Sequence, residues 1–213
     1  MTPKEATAYA REICGLAPVI PVIVVHDVAH AVPLAEALVA GGLPVLEVTL
    51  RTPVALDVIR AMAKVPGGVV GAGTLLTPAD VKAAKAAGAL FGVSPGITDE
   101  LLAACEAEAL PLLGGVATVS EAMRMLARGY SVAKFFPAEA NGGAPALKSF
   151  AGPLPQMSFC PTGGVTPKNA PDYLKLPNVL CVGGSWVCDA SLLKSGDWDT
   201  VEQLASDASK LKG

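Results

Sequence analysis

From residue 18 onward the chain alternates short, β-branched apolar runs with Ala/Leu-rich stretches whose apolar positions recur at helical spacing. The apolar runs fall at 19–25, 45–50, 69–73, 90–93, 112–113, 132–136, 157–160 and 179–182. Each is short and bounded by turn residues, which predicts a strand. Between them the pattern predicts helices near 31–40, 53–64, 78–87, 99–109, 120–127, 144–151 and 167–174, with a last one near 200–211 and an extra one over 3–14. Local chemistry marks the ends. Thr52-Pro53, Thr77-Pro78 and Thr166-Pro167 each offer a capping hydroxyl followed by proline at the first helical position, and Gly41, Gly88 and Gly129 stand where helices should stop.

Eight strand–helix units without a break in composition predict an α/β fold, a (β/α)8 TIM barrel forming one domain over 1–213, with the 3–14 helix plugging its open bottom. A doubly wound open sheet is the alternative. In either arrangement function belongs at the carboxyl ends of the strands. Polar residues fall there: Glu47 and Arg51 at the second strand, Thr74 at the third, Lys134 at the sixth, Thr162 at the seventh and Ser185 at the eighth.

Composition narrows the function classes. With 52% hydrophobic and 16% charged residues, 213 positions suffice for a large single core. A net charge of −3 with no basic run gives no electrostatic footprint for nucleic acid, so a small anion must be held locally. Cys14, Cys105, Cys160, Cys181 and Cys188 form an odd set without a C-x-x-C pair, which predicts buried free thiols in a reducing cytoplasm. The N-terminus lacks the basic-then-apolar order of a signal peptide, and no run approaches the ~20 apolar residues of a membrane span.

The sharpest chemical signal is Val132-Ala133-Lys134-Phe135-Phe136-Pro137. Burial penalises a charged amine, and a desolvated, neutral lysine is a nucleophile that forms Schiff bases with carbonyl substrates. The bland reading is a strand-end lysine that snorkels to water. Glu47 sits in a similarly apolar run, where it is either an acid/base group tuned by desolvation or half of a structural Glu47–Arg51 ion pair. Arg51 has the planar fork that grips carboxylates, and Thr74 ends a G-A-G-T turn beside it. Ser94-Pro95-Gly96 reads as a turn shaping a pocket wall. Thr162-Gly163-Gly164 and Gly183-Gly184-Ser185 end the last two strands, where barrels hold phosphate on backbone N–H groups, although glycine there also simply makes turns. His26 and His30 are four apart, but one ends a strand and the other opens a helix, which argues against a metal site.

Val45-Leu46-Glu47-Val48-Thr49-Leu50-Arg51, Gly71-Ala72-Gly73-Thr74, Lys134-Phe135-Phe136-Pro137-Ala138-Glu139, Cys160-Pro161-Thr162-Gly163-Gly164 and Gly183-Gly184-Ser185-Trp186 together resemble the bacterial 2-keto-3-deoxy-6-phosphogluconate aldolases, in order and spacing from about residue 18 to 186. The resemblance implies a metal-free and cofactor-free class I aldolase of the Entner–Doudoroff route, a homotrimer acting on a phosphorylated keto acid. It implies Lys134 as the Schiff-base residue and Glu47 as the general acid/base. Arg51 and Thr74 match carboxylate ligands, Pro95 and Phe136 line the pocket, and Thr162 meets the hydroxylated middle of the substrate. Gly163, Gly164, Gly184 and Ser185 match the phosphate cradle. Activity on 4-hydroxy-2-oxoglutarate and decarboxylation of oxaloacetate fit the same imine. A phosphosugar isomerase or epimerase and a non-catalytic phosphometabolite-binding barrel are the competing classes.

Overall fold

The computed structural model describes residues 1–211, so the last two positions of the expected 1–213 domain lie outside the described residues. The strands are β1 (Val19–Ile23), β2 (Val45–Thr49), β3 (Val69–Gly73), β4 (Phe91–Val93), β5 (Leu112–Leu113), β6 (Gly115–Val116), β7 (Val132–Phe135), β8 (Ser158–Pro161) and β9 (Val182–Gly184). The helices are α1 (Pro3–Cys14), α2 (Ala31–Ala40), α3 (Ala55–Met62), α4 (Pro78–Ala86), α5 (Asp99–Ala107), α6 (Val119–Arg128), α7 (Gly143–Phe150), α8 (Ala170–Leu174), α9 (Ala190–Ser195) and α10 (Trp198–Ser209).

All the pairings are parallel, as expected, but the strands form two sheets: six in the order β5-β4-β3-β2-β1-β9 and three in the order β6-β7-β8. This departs from one continuous ring of eight. The fifth expected strand, 112–113, pairs with β4, and beyond Gly114 a further two-residue strand that the pattern does not predict, 115–116, pairs with β7. On the other side, isolated parallel bridges Phe159–Val179 and Thr162–Gly183 link β8 to the stretch containing β9. The last strand lies later than the pattern predicts because Val179 pairs only through that bridge, while Gly183 and Gly184 join β1.

Side chains alternate between two faces of each strand. Leu46 and Val48 of β2, with Ala133 and Phe135 of β7, face the large cluster under the helices. Val45 and Val132 face a second cluster that also takes Ile20, Phe91, Leu113, Cys160 and Cys181. Ala10, Ile13 and Cys14 of α1 pack into this second cluster. By the same alternation Glu47 and Lys134 share its face, two residues further along each strand, toward the carboxyl ends.

Helix boundaries follow local hydrogen bonding. Thr77 caps α4 through a reciprocal pair with Asp80. Gly129 ends α6 in the left-handed region at φ 99°, a conformation glycine adopts without a Cβ penalty. Two Thr-Pro signals act differently from the expectation. The Thr52 hydroxyl donates to the Val25 carbonyl instead, and α3 starts at Ala55. Thr166 bonds Asn169, and α8 starts at Ala170. Asn141-Gly142-Gly143 ends a 3-10 turn and begins α7. α9 was not expected.

Candidate active site

Parallel strands bring all their carboxyl ends to one side, and the residues just beyond those ends converge there. Two acts of folding set the centre. Lys134, in the middle of β7, places Nζ 3.0 Å from Oε1 and 3.4 Å from Oε2 of Glu47, in the middle of β2. The two side chains are 5% and 4% exposed, so the lysine does not snorkel to water. The contact joins one sheet to the other across 87 residues of sequence. The ion pair of Glu47 is with Lys134, not with Arg51 four residues along the chain. The Phe136 ring lies 5.5 Å from Nζ and covers the amine.

The pair fits because its neighbours lack side chains. A Cβ on Gly73 would stand 2.5 Å from Glu47 Oε1. A Cβ on Gly115, the register partner of Lys134, would stand 2.2 Å from the Pro95 carbonyl oxygen. The Pro95 turn therefore packs against the same face as the lysine. Its shape is held by Ser94, a buried residue whose hydroxyl donates to the Gly96 carbonyl at 2.6 Å. The roles of Gly73 and Gly115 were not read from sequence, since a strand glycine shows no partner until the fold is known.

Around this centre the rim is polar. Thr74 follows β3 at φ 64°, a left-handed conformation unusual for a β-branched residue, and its hydroxyl accepts from Arg51 Nε at 3.2 Å. Arg51, Phe136, Thr162, Gly163, Gly164, Gly184 and Ser185 line one cleft of about 220 Å³. Thr162 Oγ1 is buried without a hydrogen-bond partner among the described residues. The N–H groups of Gly164, Val165 and Ser185 have no backbone acceptor among the described residues. The cleft thus offers a guanidinium, an unpaired hydroxyl in its wall and N–H groups without backbone acceptors; Lys134, Glu47, Thr74 and Pro95 do not line it, and Phe136, which does, connects it to the amine.

Other candidates fall away from the site. His26 and His30 border a separate surface cavity with Asp27 and Lys194, and among the described residues no group of three metal-ligating side chains forms. The five cysteines are free and buried. Burial pushes the thiols of Cys105 and Cys188 up to about 12, and hydrogen bonds with Cys14 and Cys160 raise that of Cys181, so none of these three is a ready thiolate nucleophile. No helix among the described residues is long and apolar enough to cross a membrane.

The chain matches the family model for KDPG and KHG aldolases over residues 10–204. It is 54% identical to the KHG/KDPG aldolase of Escherichia coli K12 over 96% of this chain and 97% of that protein. Among solved structures, it superposes with a TM-score of 0.92 on the 2-keto-3-deoxy-6-phosphogluconate aldolase of Zymomonas mobilis with 3-phosphoglycerate, at 51% identity and 97% coverage of each chain. It superposes with a TM-score of 0.91 on the aldolase of Legionella pneumophila holding pyruvate as a covalent carbinolamine, at 49% identity over 94% of this chain and 98% of that one.

Proposed function

The chain belongs to the KDPG and KHG aldolase family, and from that membership we propose how its own residues cleave 2-dehydro-3-deoxy-6-phosphogluconate to pyruvate and D-glyceraldehyde 3-phosphate. The observation that carries the reading is the buried Lys134–Glu47 pair. An ammonium cannot attack a ketone. At 3.0 Å the Glu47 carboxylate can take the proton that the amine must lose, and can return it when water leaves.

In this reading Nζ of Lys134 attacks the C2 ketone, Glu47 protonates the departing hydroxyl, and a protonated imine remains. Glu47 then removes the C4 hydroxyl proton, directly or through a water. The C3–C4 bond breaks, its electrons flow to the imine nitrogen, and C4 leaves as the aldehyde carbon of glyceraldehyde 3-phosphate. The enamine takes a proton at C3, and hydrolysis releases pyruvate and the free amine. Arg51, steadied by Thr74, holds the substrate carboxylate; Pro95 and Phe136 wall the keto-acid end. Thr162 meets a substrate hydroxyl, and Gly163, Gly164, Gly184 and Ser185 form the phosphate cradle. The same imine would serve 4-hydroxy-2-oxoglutarate and oxaloacetate.

The two sheets, whose strands β5 and β6 are separated only by Gly114 and which are bridged at Thr162–Gly183, support reading the whole as one (β/α)8 barrel domain with an N-terminal helix. A homotrimer working in the cytoplasm completes the proposal, on family membership alone. The test is borohydride reduction in the presence of pyruvate. Wild type should gain the mass of one reduced pyruvate adduct, mapped to Lys134, and Lys134→Ala should gain none. Equal labelling of both, with the variant folded by circular dichroism, would remove the Schiff-base assignment.

A further inference from the structure

The glycine-rich turn after β8 is held from behind at three consecutive carbonyls. Ala138 N–H donates to the Thr162 carbonyl at 2.8 Å, Glu139 N–H to the Gly163 carbonyl at 3.1 Å, and Asn169 Nδ2 to the Gly164 carbonyl at 3.1 Å. Gly163 and Gly164 both lie in the left-handed region, at φ 101° and 77°. In a trans peptide the carbonyl of one residue and the N–H of the next point in opposite directions. Fixing the Gly163 and Gly164 carbonyls therefore fixes where the N–H groups of Gly164 and Val165 aim, which is away from Glu139 and Asn169. Both residues line the cleft, and neither N–H has a backbone acceptor among the described residues. Successive N–H groups in such a turn form an anion-binding concavity.

Two of the three clamps are backbone groups, but the third is a side chain. Asn169 stands at the N-cap position of α8 and makes no capping bond there. Its Oδ1 accepts from the Thr166 N–H at 2.7 Å and from the Thr166 hydroxyl at 3.2 Å, which orients the amide so that Nδ2 faces the Gly164 carbonyl. An asparagine that forgoes its helix to grip a loop carbonyl is placed for the loop.

We propose that Asn169 is a positioning residue for phosphate recognition: by clamping the Gly164 carbonyl it aims the Val165 N–H into the cleft, as an anion donor beside that of Gly164. This rests on the reading that the cleft takes the substrate phosphate. It commits Asn169 to discrimination between phosphorylated and unphosphorylated aldehydes, without a part in imine chemistry.

The experiment measures kcat/KM for condensation of pyruvate with D-glyceraldehyde 3-phosphate and, separately, with D-glyceraldehyde, in wild type, Asn169→Ala and Ser185→Ala. Removing one clamp should cost roughly the tenfold of a single charge-assisted hydrogen bond. Asn169→Ala should lose about that factor with the phosphorylated aldehyde, mainly in KM, and keep wild-type kcat/KM with the unphosphorylated one. Inhibition by inorganic phosphate should weaken in parallel, and borohydride capture of pyruvate should stay unchanged. Equal loss on both aldehydes would mark Asn169 as merely structural, and no loss on either would overturn the proposal while a phosphate-selective loss in Ser185→Ala kept the cradle. If Ser185→Ala is also indifferent to phosphate, the cradle itself is misplaced and the role of Asn169 falls with it.

Discussion

A single methyl group at position 73 would stand 2.5 Å from the Glu47 carboxylate. Gly73→Ala must therefore push the acid off the amine, and misplacing a reacting group by about 1 Å costs on the order of 10²-fold in rate. The expected outcome is a fall in kcat of that size in steady-state cleavage, with the variant still folded; an unchanged kcat would show that the carboxylate tolerates displacement. Glu47→Gln makes a complementary change. It retains a hydrogen-bond acceptor for Lys134 but no group that can carry protons, so cleavage should slow by ~10²–10⁴-fold. Some pyruvate adduct should still be captured by borohydride, and complete loss of capture together with turnover would mean that imine formation itself needs the carboxylate. At this scale the sequence made Lys134 and Glu47 conspicuous, because each is a charge within an apolar strand. Which partner Glu47 takes was not legible, since Arg51 is four residues away and Lys134 is 87. Asn169 was equally hidden, because in sequence it resembles any helix-opening asparagine.

The same Thr-Pro signal has three outcomes among the helices, and each depends on what lies within reach of the hydroxyl. Thr77 closes a capping box with Asp80, whose carboxylate accepts the Leu76 and Thr77 N–H groups. Thr77→Ala should cost about 1 kcal/mol in urea unfolding. Thr166→Ala, which removes a hydroxyl that only shares the Asn169 oxygen with its own N–H, should cost clearly less; equal costs would show that the two hydroxyls cap alike. Long elements with clear periodicity, such as α1 and α2, match the pattern residue for residue. The failures are short or interrupted. Six residues of α9 are too few for a period to show, although Asp189 caps it and Gly196 ends it at φ 67°. The pattern ends the fifth strand at 113 and does not signal β6, which follows Gly114 and joins the other sheet.

Across the whole molecule, stability should depend on pH through groups remote from the site. The Arg128 guanidinium, hydrogen-bonded to Glu106, holds that carboxyl below its ordinary value of 4.5. Between the two values the unfolded chain binds more protons, so this contribution is present above about pH 4.5 and is lost as pH falls through the folded-state value. Burial acts oppositely on Cys105 and Cys188, whose thiols rise from 9.0 to about 12. Here the unfolded chain loses protons first, so stability is intact below pH 9 and declines toward pH 12. Urea midpoints should accordingly hold level between these limits and fall on both sides. Cys105→Ala should flatten the alkaline limb, and an unaltered limb in Cys105→Ala and Cys188→Ala alike would assign it to other groups.

One consequence follows from the amine and its carboxylate residing in different sheets. A polypeptide severed anywhere between β2 and β7 would leave each piece with one member of the reacting couple and nothing to do with it. Neither fragment could turn over substrate by itself, so any turnover regained on mixing would count reassembled molecules directly, against a background of zero.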